Sequence, residues 1–253
     1  MLTFNYHTHT KRCNHATLDE DRAYVEKAIE GGMKILGFSD HAPYVFPNTD
    51  YYSNFRMKTD ELHEYVESVR SLAKEYAKDI RILCGFELEY YPDFHKEEMA
   101  FLSQVKPDYL ILGQHLLGNE LNEQYARGTE DPHLVSYVTQ VLAGLATGDF
   151  LYLAHPDLAG FQYSESVVKR EYRRLCEGAK RMNIPLEINL LGIRTNRHYP
   201  CEDFFKIAAE VGNSILLGTD AHDPLDVCDP QSEEIALQMV KKLGLKLIDK
   251  PLL

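Results

Sequence analysis

No C-x-x-C pair occurs among the 253 residues, although five cysteines are present, at 13, 84, 176, 201 and 228. An odd set without paired spacing argues against a disulfide framework and for free thiols in a reducing, cytoplasmic setting. No basic region leads into an apolar stretch near the first residue, so no signal peptide is expected. No apolar run approaches the roughly 20 residues that cross a bilayer, so no membrane partner is expected either. Ser/Gly tracts, Pro-rich runs and low-complexity segments are also missing, and one domain over 1–253 is expected. Positive charge is short: 27 Lys and Arg face 39 Asp and Glu, a formal net charge of −12. Such a field disfavours a nucleic acid as partner. It is compatible with a small phosphorylated metabolite, because metal ions or a few arginines reverse the sign locally. No glycine leads to a P-loop lysine and no Rossmann glycine pattern appears, so the glycines of "LGF", "CGF", "ILGQ" and "LLGT" are read as packing glycines.

What is present is a recurring unit. Apolar runs rich in Leu, Ile, Phe and Tyr lie near 2–6, 34–39, 80–86, 109–113, 150–154, 185–189 and 214–219, with an eighth candidate at 245–249. Their length and composition suit strands buried on both faces. Stretches with helical spacing separate them. "DEDRAYVEKAIEGG" closes on glycines suited to a helix C-cap, and Leu62, Val66, Val69 and Ala73 share one face of the next. The alternation predicts an α/β fold of parallel strands joined by right-handed crossovers. Seven or eight units suggest a closed (β/α) barrel, with an open doubly wound sheet as the alternative.

In a parallel barrel the C-terminal strand ends share one rim, so residues distant in sequence converge there. His7, His41, Glu87, His115, His155 and Asp220 all stand at or just beyond the end of an apolar run. His7 and His9 are two apart, and along an extended chain such residues point the same way and can grip one ion. With His15 and His222 the candidate ligands number nine. A lone His at a strand end is usually structural or solvated; the agreement of six separate strand ends carries the metal reading. Imidazoles with a minority of carboxylates suit Zn, Mn or Fe. A catalytic ion takes about three protein ligands, so nine imply two or three divalent transition-metal ions. A carboxylate such as Glu87 can bridge two of them. Cys13 is read as a bystander.

The ordered set "HTH", "GFSDH", a Glu after the third strand, "GQH", "AHPD" and "GTDAH" resembles the PHP (polymerase and histidinol phosphatase) phosphoesterases. The resemblance runs from His7 to His222, and "GFELEYYPDF" is most similar to the monofunctional histidinol-phosphate phosphatases. It implies a distorted (β/α)7 barrel with a trinuclear metal site at the C-terminal rim. In that scheme His7, His9, Glu87 and Asp220 bind the first ion. Glu87 bridges to a second ion held by His115 and His155, while His15, His41 and His222 hold the third. Asp40 would orient a ligand by a hydrogen bond. The implied activity is hydrolysis of small phosphomonoesters, most specifically of L-histidinol phosphate in histidine biosynthesis.

His41, His222 and Asp220 are the candidates for a direct part in the reaction, with His41, His222 or a metal-bound water protonating the leaving alkoxide. Asn189, Arg194 and Arg197, after the sixth run, are expected to meet substrate, since the guanidinium fork suits phosphate. Glu89, Asp157 or Asp223 would meet the substrate amine. The tyrosine-rich 42–58 loop, with Arg56 in it, reads as a lid, a pocket wall or packing. Three other activities are weighed: a PHP phosphatase for other small phosphomonoesters, a nucleic-acid phosphodiesterase or exonuclease, and a non-catalytic metal-binding protein.

Overall fold

Short apolar runs become strands, and stretches with 3.6-residue spacing become helices, in a computed structural model that describes residues 2–47, 49, 51, 53–122, 130–160 and 163–253. Positions 48, 50 and 52 of the 42–58 loop therefore lie outside the described residues. Two compact units interleave along the chain. The first takes the chain up to Leu88, then Asp93–Leu110 and Gly218–Pro230; the second takes Glu89–Pro92, Ile111–Leu217 and Gln231–Leu253.

In the first unit, β1 (Phe4–Asn5), β2 (Ile35–Phe38) and β3 (Arg81–Leu88) lie side by side in one sheet, and the first two residues of β4 (Tyr109–Leu112) belong to the same unit. The pairing of β1 with β2 and of β2 with β3 is parallel, with Phe4 opposite Ile35 and Phe38 opposite Cys84. Helix α1 (Asp21–Glu30) joins β1 to β2. It stops where Gly32 takes φ 77°, a left-handed value that glycine adopts without a Cβ penalty. Helix α2 (Leu62–Glu75) buries Leu62, Tyr65, Val66, Val69 and Leu72, so the apolar stripe runs through Leu72 and leaves the expected Ala73 at its margin. Helix α3 (His95–Leu102) follows β3.

One side chain props this sheet from below. Tyr109 is buried, and its hydroxyl shares its proton between the carbonyls of Tyr6 at 2.8 Å and Phe38 at 3.0 Å. A Cβ on Gly37 would stand 2.3 Å from the Tyr109 Oη, and one on Gly85 would stand 2.6 Å from its ring carbons. Glycine at both positions makes room for the ring, so the packing role expected for "LGF" and "CGF" holds.

The second unit carries β5 (Leu186–Asn189), β6 (Ser214–Gly218) and β7 (Lys246–Leu247), in that order in a second sheet. β6 and β7 run parallel, with Ser214 opposite Lys246. Around them are α4 (Asp131–Leu145), α5 (Glu165–Arg181), α6 (Leu190–Arg194), α7 (Glu202–Val211) and α8 (Pro230–Leu243). α5 packs on both α4 and α7.

The run at 150–154 does not become a strand. It is reduced to Leu153, which bridges in parallel to Leu112 on one side and Leu186 on the other. Its ladder bonds are present: Leu153 N–H donates to the Pro185 carbonyl at 3.0 Å, and Glu187 N–H to that of Leu153 at 3.0 Å. The run ends abruptly because His155 takes φ 28° and Pro156 has no N–H for a ladder. The candidate at 245–249 does form a strand, β7. The fold is parallel α/β, and among the described residues no helix is long and apolar enough to cross a membrane.

Candidate metal centre

Beyond β1 the chain is held by the buried Asn5 side chain, which makes four hydrogen bonds. Its Nδ2 donates to the His7 carbonyl at 3.0 Å and to Thr8 Oγ1 at 2.8 Å. Its Oδ1 accepts the backbone N–H groups of His7 at 3.2 Å and Thr219 at 3.0 Å. The "HTH" segment is thereby tied to the segment after β6. Thr8 pairs with Ala221 in a parallel bridge, and His9 N–H donates to the Ala221 carbonyl at 2.9 Å. On the other flank Ser39 N–H donates to the Thr8 carbonyl, and His41 bridges Glu87. Asp220 takes φ 46°, a conformation aspartate tolerates better than most residues yet at a cost of about 1 kcal/mol or more. An outlier of this kind at a carboxylate facing two histidines points to function.

These ties bring four donor atoms together. His7 Nε2 lies 3.5 Å from both Glu87 Oε2 and Asp220 Oδ1. His9 Nε2 lies 3.3 Å from the same Glu87 oxygen and 3.2 Å from the same Asp220 oxygen. Ligands about 2.1 Å from a tetrahedral zinc stand about 3.4 Å from one another, so these spacings fit the edges of one coordination shell. His9 is fully buried; its Nδ1 faces the Asp40 carboxylate at 3.5 Å, and its Nε2 makes no hydrogen bond, a costly arrangement that a cation relieves.

A second group adjoins it. His41 Nδ1 is 3.1 Å from Glu87 Oε2, and donor atoms of His15, His41 and His222 lie within 4.8 Å of one another. His15 Nδ1 is 2.7 Å from the Cys13 carbonyl and His222 Nδ1 is 3.1 Å from that of Asp220. A carbonyl accepts only, so both protons sit on Nδ1. The two Nε2 lone pairs then face each other at 3.0 Å, an arrangement that needs a cation beside it. Burial, followed by the charge of His9, pushes His222 down to about 3 and lowers His15 as well. Both rings stay neutral, the form that binds metal. At His9 burial opposes the charged form, but Asp220 and Asp40 outweigh it and raise the imidazole. Burial likewise opposes ionisation of Asp220, and His7 and His9 outweigh it and hold the carboxyl low. Cys13 stands near His9 and His222, and burial with Asp40 raises its thiol, which keeps it protonated.

In the second unit, His115 and His155 come together with ring centroids 4.8 Å apart. His115 Nδ1 meets the buried Glu89 Oε1 at 2.8 Å, a pairing that orients the ring and favours the tautomer protonated at Nδ1. The backbone N–H of His155 donates to Glu187 at 3.0 Å, and Glu187 also accepts from Tyr152 and Asn189.

The residues expected to contact substrate have the following partners within the fold. Asn189 caps α6: its Oδ1 accepts Gly192 N–H at 3.1 Å while its Nδ2 donates to Glu187 at 2.9 Å, so both ends of the amide are used inside the fold. Glu89 is committed to His115. Asp157 is buried and accepts the N–H of Cys201, and burial pushes its carboxyl up to about 7. Asp223 accepts Leu225 N–H at 2.8 Å and caps a short 3-10 helix. Arg194 ends α6, half-buried, and exposed Arg197 donates to the Tyr199 hydroxyl at 2.8 Å. Arg56 is buried, stacked 4.5 Å over Phe55, and donates to the Ala42 carbonyl; Phe55 in turn packs edge-on against His41. Within the described part of the 42–58 loop, Phe55 is thus packed beside His41, a candidate metal ligand. Asn5 and Glu187 carry hydrogen-bonding roles that no motif announced; each is a polar residue whose partners are set by the fold.

The PHP domain model matches residues 5–190. This chain belongs to the PHP family. The match ends before Asp220 and His222, which the PHP fold nevertheless brings beside His7 and His9. Among relatives, the "Probable histidinol-phosphatase" of Deinococcus radiodurans is 30% identical over 239 residues, covering 87% of this chain and 86% of its own. The histidinol-phosphatase of Bacillus subtilis is 32% identical over 115 residues, 44% of this chain and 43% of its own. The crystal structure of histidinol phosphate phosphatase from Lactococcus lactis, complexed with zinc, L-histidinol and phosphate, matches with a TM-score of 0.71 at 22% identity. That match covers 98% of this PHP chain and 96% of the other. At such identity the likeness speaks for the fold.

Proposed function

We propose that this PHP chain is a metal-dependent phosphomonoesterase that hydrolyses L-histidinol phosphate to L-histidinol and phosphate. The observation that carries the metal dependence is the set of four donor atoms in which the His7 and His9 Nε2 each lie 3.2–3.5 Å from both the Glu87 and the Asp220 oxygen. The names of the relatives, and the ligands in the Lactococcus complex, support the substrate. In this reading two or three ions of Zn, Mn or Fe are held: one by that set, one by His15, His41 and His222, and a further one with His115 and His155 as ligands. When bound, such ions neutralise phosphate oxygens and lower the pKa of a water they hold.

The chain's own residues do the rest. Asp220, held ionised, accepts a hydrogen bond from the attacking water and orients it. His222 keeps its proton on Nδ1 toward a carbonyl and resists further protonation, and His41 is committed to an ion in this reading, so a water held at the site protonates the departing alkoxide. Arg194 and Arg197 pair with the phosphate. Charge-assisted hydrogen bonds of that kind contribute about 1.5–3 kcal/mol, roughly ten- to a hundredfold in binding. Five free cysteines fit a reducing, cytoplasmic setting.

The test is kcat/KM across a panel of phosphomonoesters and single-stranded DNA, for the natural chain and for Arg197→Ala. Histidinol phosphate is expected to lead the panel, DNA to be untouched, and Arg197→Ala to lose about ten- to a hundredfold with metal content intact. Equal rates for histidinol phosphate and a plain alkyl phosphate would sink the substrate assignment and leave a PHP phosphatase of broader specificity.

A further inference from the structure

Behind His9 lies a run of hydrogen bonds that starts at a buried cation. Arg12 sits on the short 3-10 helix Lys11–Cys13 with 5% of its surface exposed. A guanidinium has five N–H groups, and all five are placed. Nε donates to Glu64 Oε2 at 2.7 Å, and Nη2 to Glu64 Oε1 and Asp21 Oδ2, each at 3.0 Å. Nη1 donates to Asp21 Oδ1 and to Thr10 Oγ1, each at 2.9 Å. Ser68 adds a hydrogen bond to Asp21, and the Tyr65 ring lies 5.4 Å from the guanidinium. Two carboxylates gripping one planar fork fix it in place, since neither oxygen pair can slide without losing two bonds at once.

The consequence passes inward through Thr10. Its hydroxyl oxygen already accepts from Arg12, so its proton goes to its other neighbour, Asp40 Oδ2. The second oxygen of Asp40 accepts the backbone N–H of His41 at 2.9 Å and faces His9 Nδ1 at 3.5 Å. Asp40 is therefore held from both sides, with one oxygen left toward the His9 ring. A carboxylate at Nδ1 favours the tautomer protonated there, which leaves the Nε2 lone pair toward Glu87 and Asp220.

We propose that Thr10 and Arg12 are positioning residues of the metal centre, which fix Asp40 so that it holds His9 with Nε2 bare and aimed at the ion. Neither touches the ion, and the inference rests on the reading of His9 as a ligand.

The experiment compares Thr10→Val, which keeps the shape and removes the hydroxyl, with Thr10→Ser, which keeps the hydroxyl. Zinc affinity of the stripped protein is measured by competition with a chromophoric chelator. The His9 ring nitrogens are followed by 15N NMR in the metal-free protein at a pH high enough to leave the ring neutral, since Asp220 and Asp40 raise it, and are assigned with His9→Gln. Thr10→Val is expected to weaken the tightest zinc site about ten- to a hundredfold and to mix the His9 tautomers. Thr10→Ser is expected to restore both, with similar unfolding temperatures for all three proteins. Arg12→Lys keeps the charge but cannot reach Thr10, Asp21 and Glu64 together, and should shift both readings in the same direction as Thr10→Val. Wild-type zinc affinity and an unmoved His9 tautomer in Thr10→Val would overturn the proposal. Unchanged zinc affinity in His9→Gln would instead overturn the reading of His9 as a ligand.

Discussion

Alanine at Gly85 offers a sharp test of how the ligand-bearing strands are supported. Its Cβ would meet Tyr109 Cε1 and Cζ at 2.6 Å and the Tyr109 carbonyl oxygen at 2.7 Å. Non-bonded carbons prefer about 3.5–4.0 Å, so the neighbours must retreat by about 1 Å. The ring can tilt, but the carbonyl belongs to β4 and moves only with the strand. Tilting the ring by that amount stretches the hydroxyl's bonds to Tyr6 and Phe38, now 2.8 and 3.0 Å, beyond useful length. Overpacking costs about 1–3 kcal/mol and the lost hydrogen bond about 0.5–1.5 kcal/mol, so a loss of about 2–4 kcal/mol is expected. For a chain of this size that lowers Tm by roughly 4–16 °C. Circular dichroism melts of Gly85→Ala, Tyr109→Leu and the double variant measure it. The double variant should lose less than the sum, because the clash needs both partners. A loss under about 1 kcal/mol in Gly85→Ala, or strict additivity in the pair, would show that Tyr109 is not the prop described.

Glu87→Gln replaces an oxygen that stands 3.1–3.5 Å from three imidazoles by a neutral amide. Residues that merely orient a ligand cost ten- to a hundredfold in affinity, so this variant should lose more than about a hundredfold and its turnover with it, as read by metal analysis and phosphate release. Asn189→Ala should behave as the loss of a helix cap, costing about 1 kcal/mol of stability in a urea melt and leaving KM for histidinol phosphate unchanged.

The convergence of the candidate metal ligands was legible because two regularities coincide in them: an apolar run of strand length, and a His, Asp or Glu at its end. His7, His9, Glu87 and Asp220 need no knowledge of packing beyond the rule that parallel strands point the same way. Thr10, Arg12 and Asn5 were illegible for the opposite reason. Asn5 matters through Thr219, 214 residues away, and Thr10 through Asp40, 30 residues away, and nothing local in "FNYHTHT" records those partners. Asn189 reads two ways because an amide after a strand suits a ligand contact and a helix cap equally, and the cap shows only in the position of Gly192 N–H. The strand at 150–154 looked sound by composition, but its hydrogen bonds stop where His155 and Pro156 turn the backbone.

The most direct measurement is phosphate release from L-histidinol phosphate by protein stripped with a chelator, dialysed, shown to be metal-free, and then titrated with Zn²⁺, Mn²⁺ or Fe²⁺. Turnover is expected to be absent in the stripped protein and to return with at least one of the three ions as the His7, His9, Glu87 and Asp220 donors fill. Full turnover in the metal-free protein, or none with any of the three ions in a folded preparation, would contradict a metal-dependent histidinol-phosphate phosphatase.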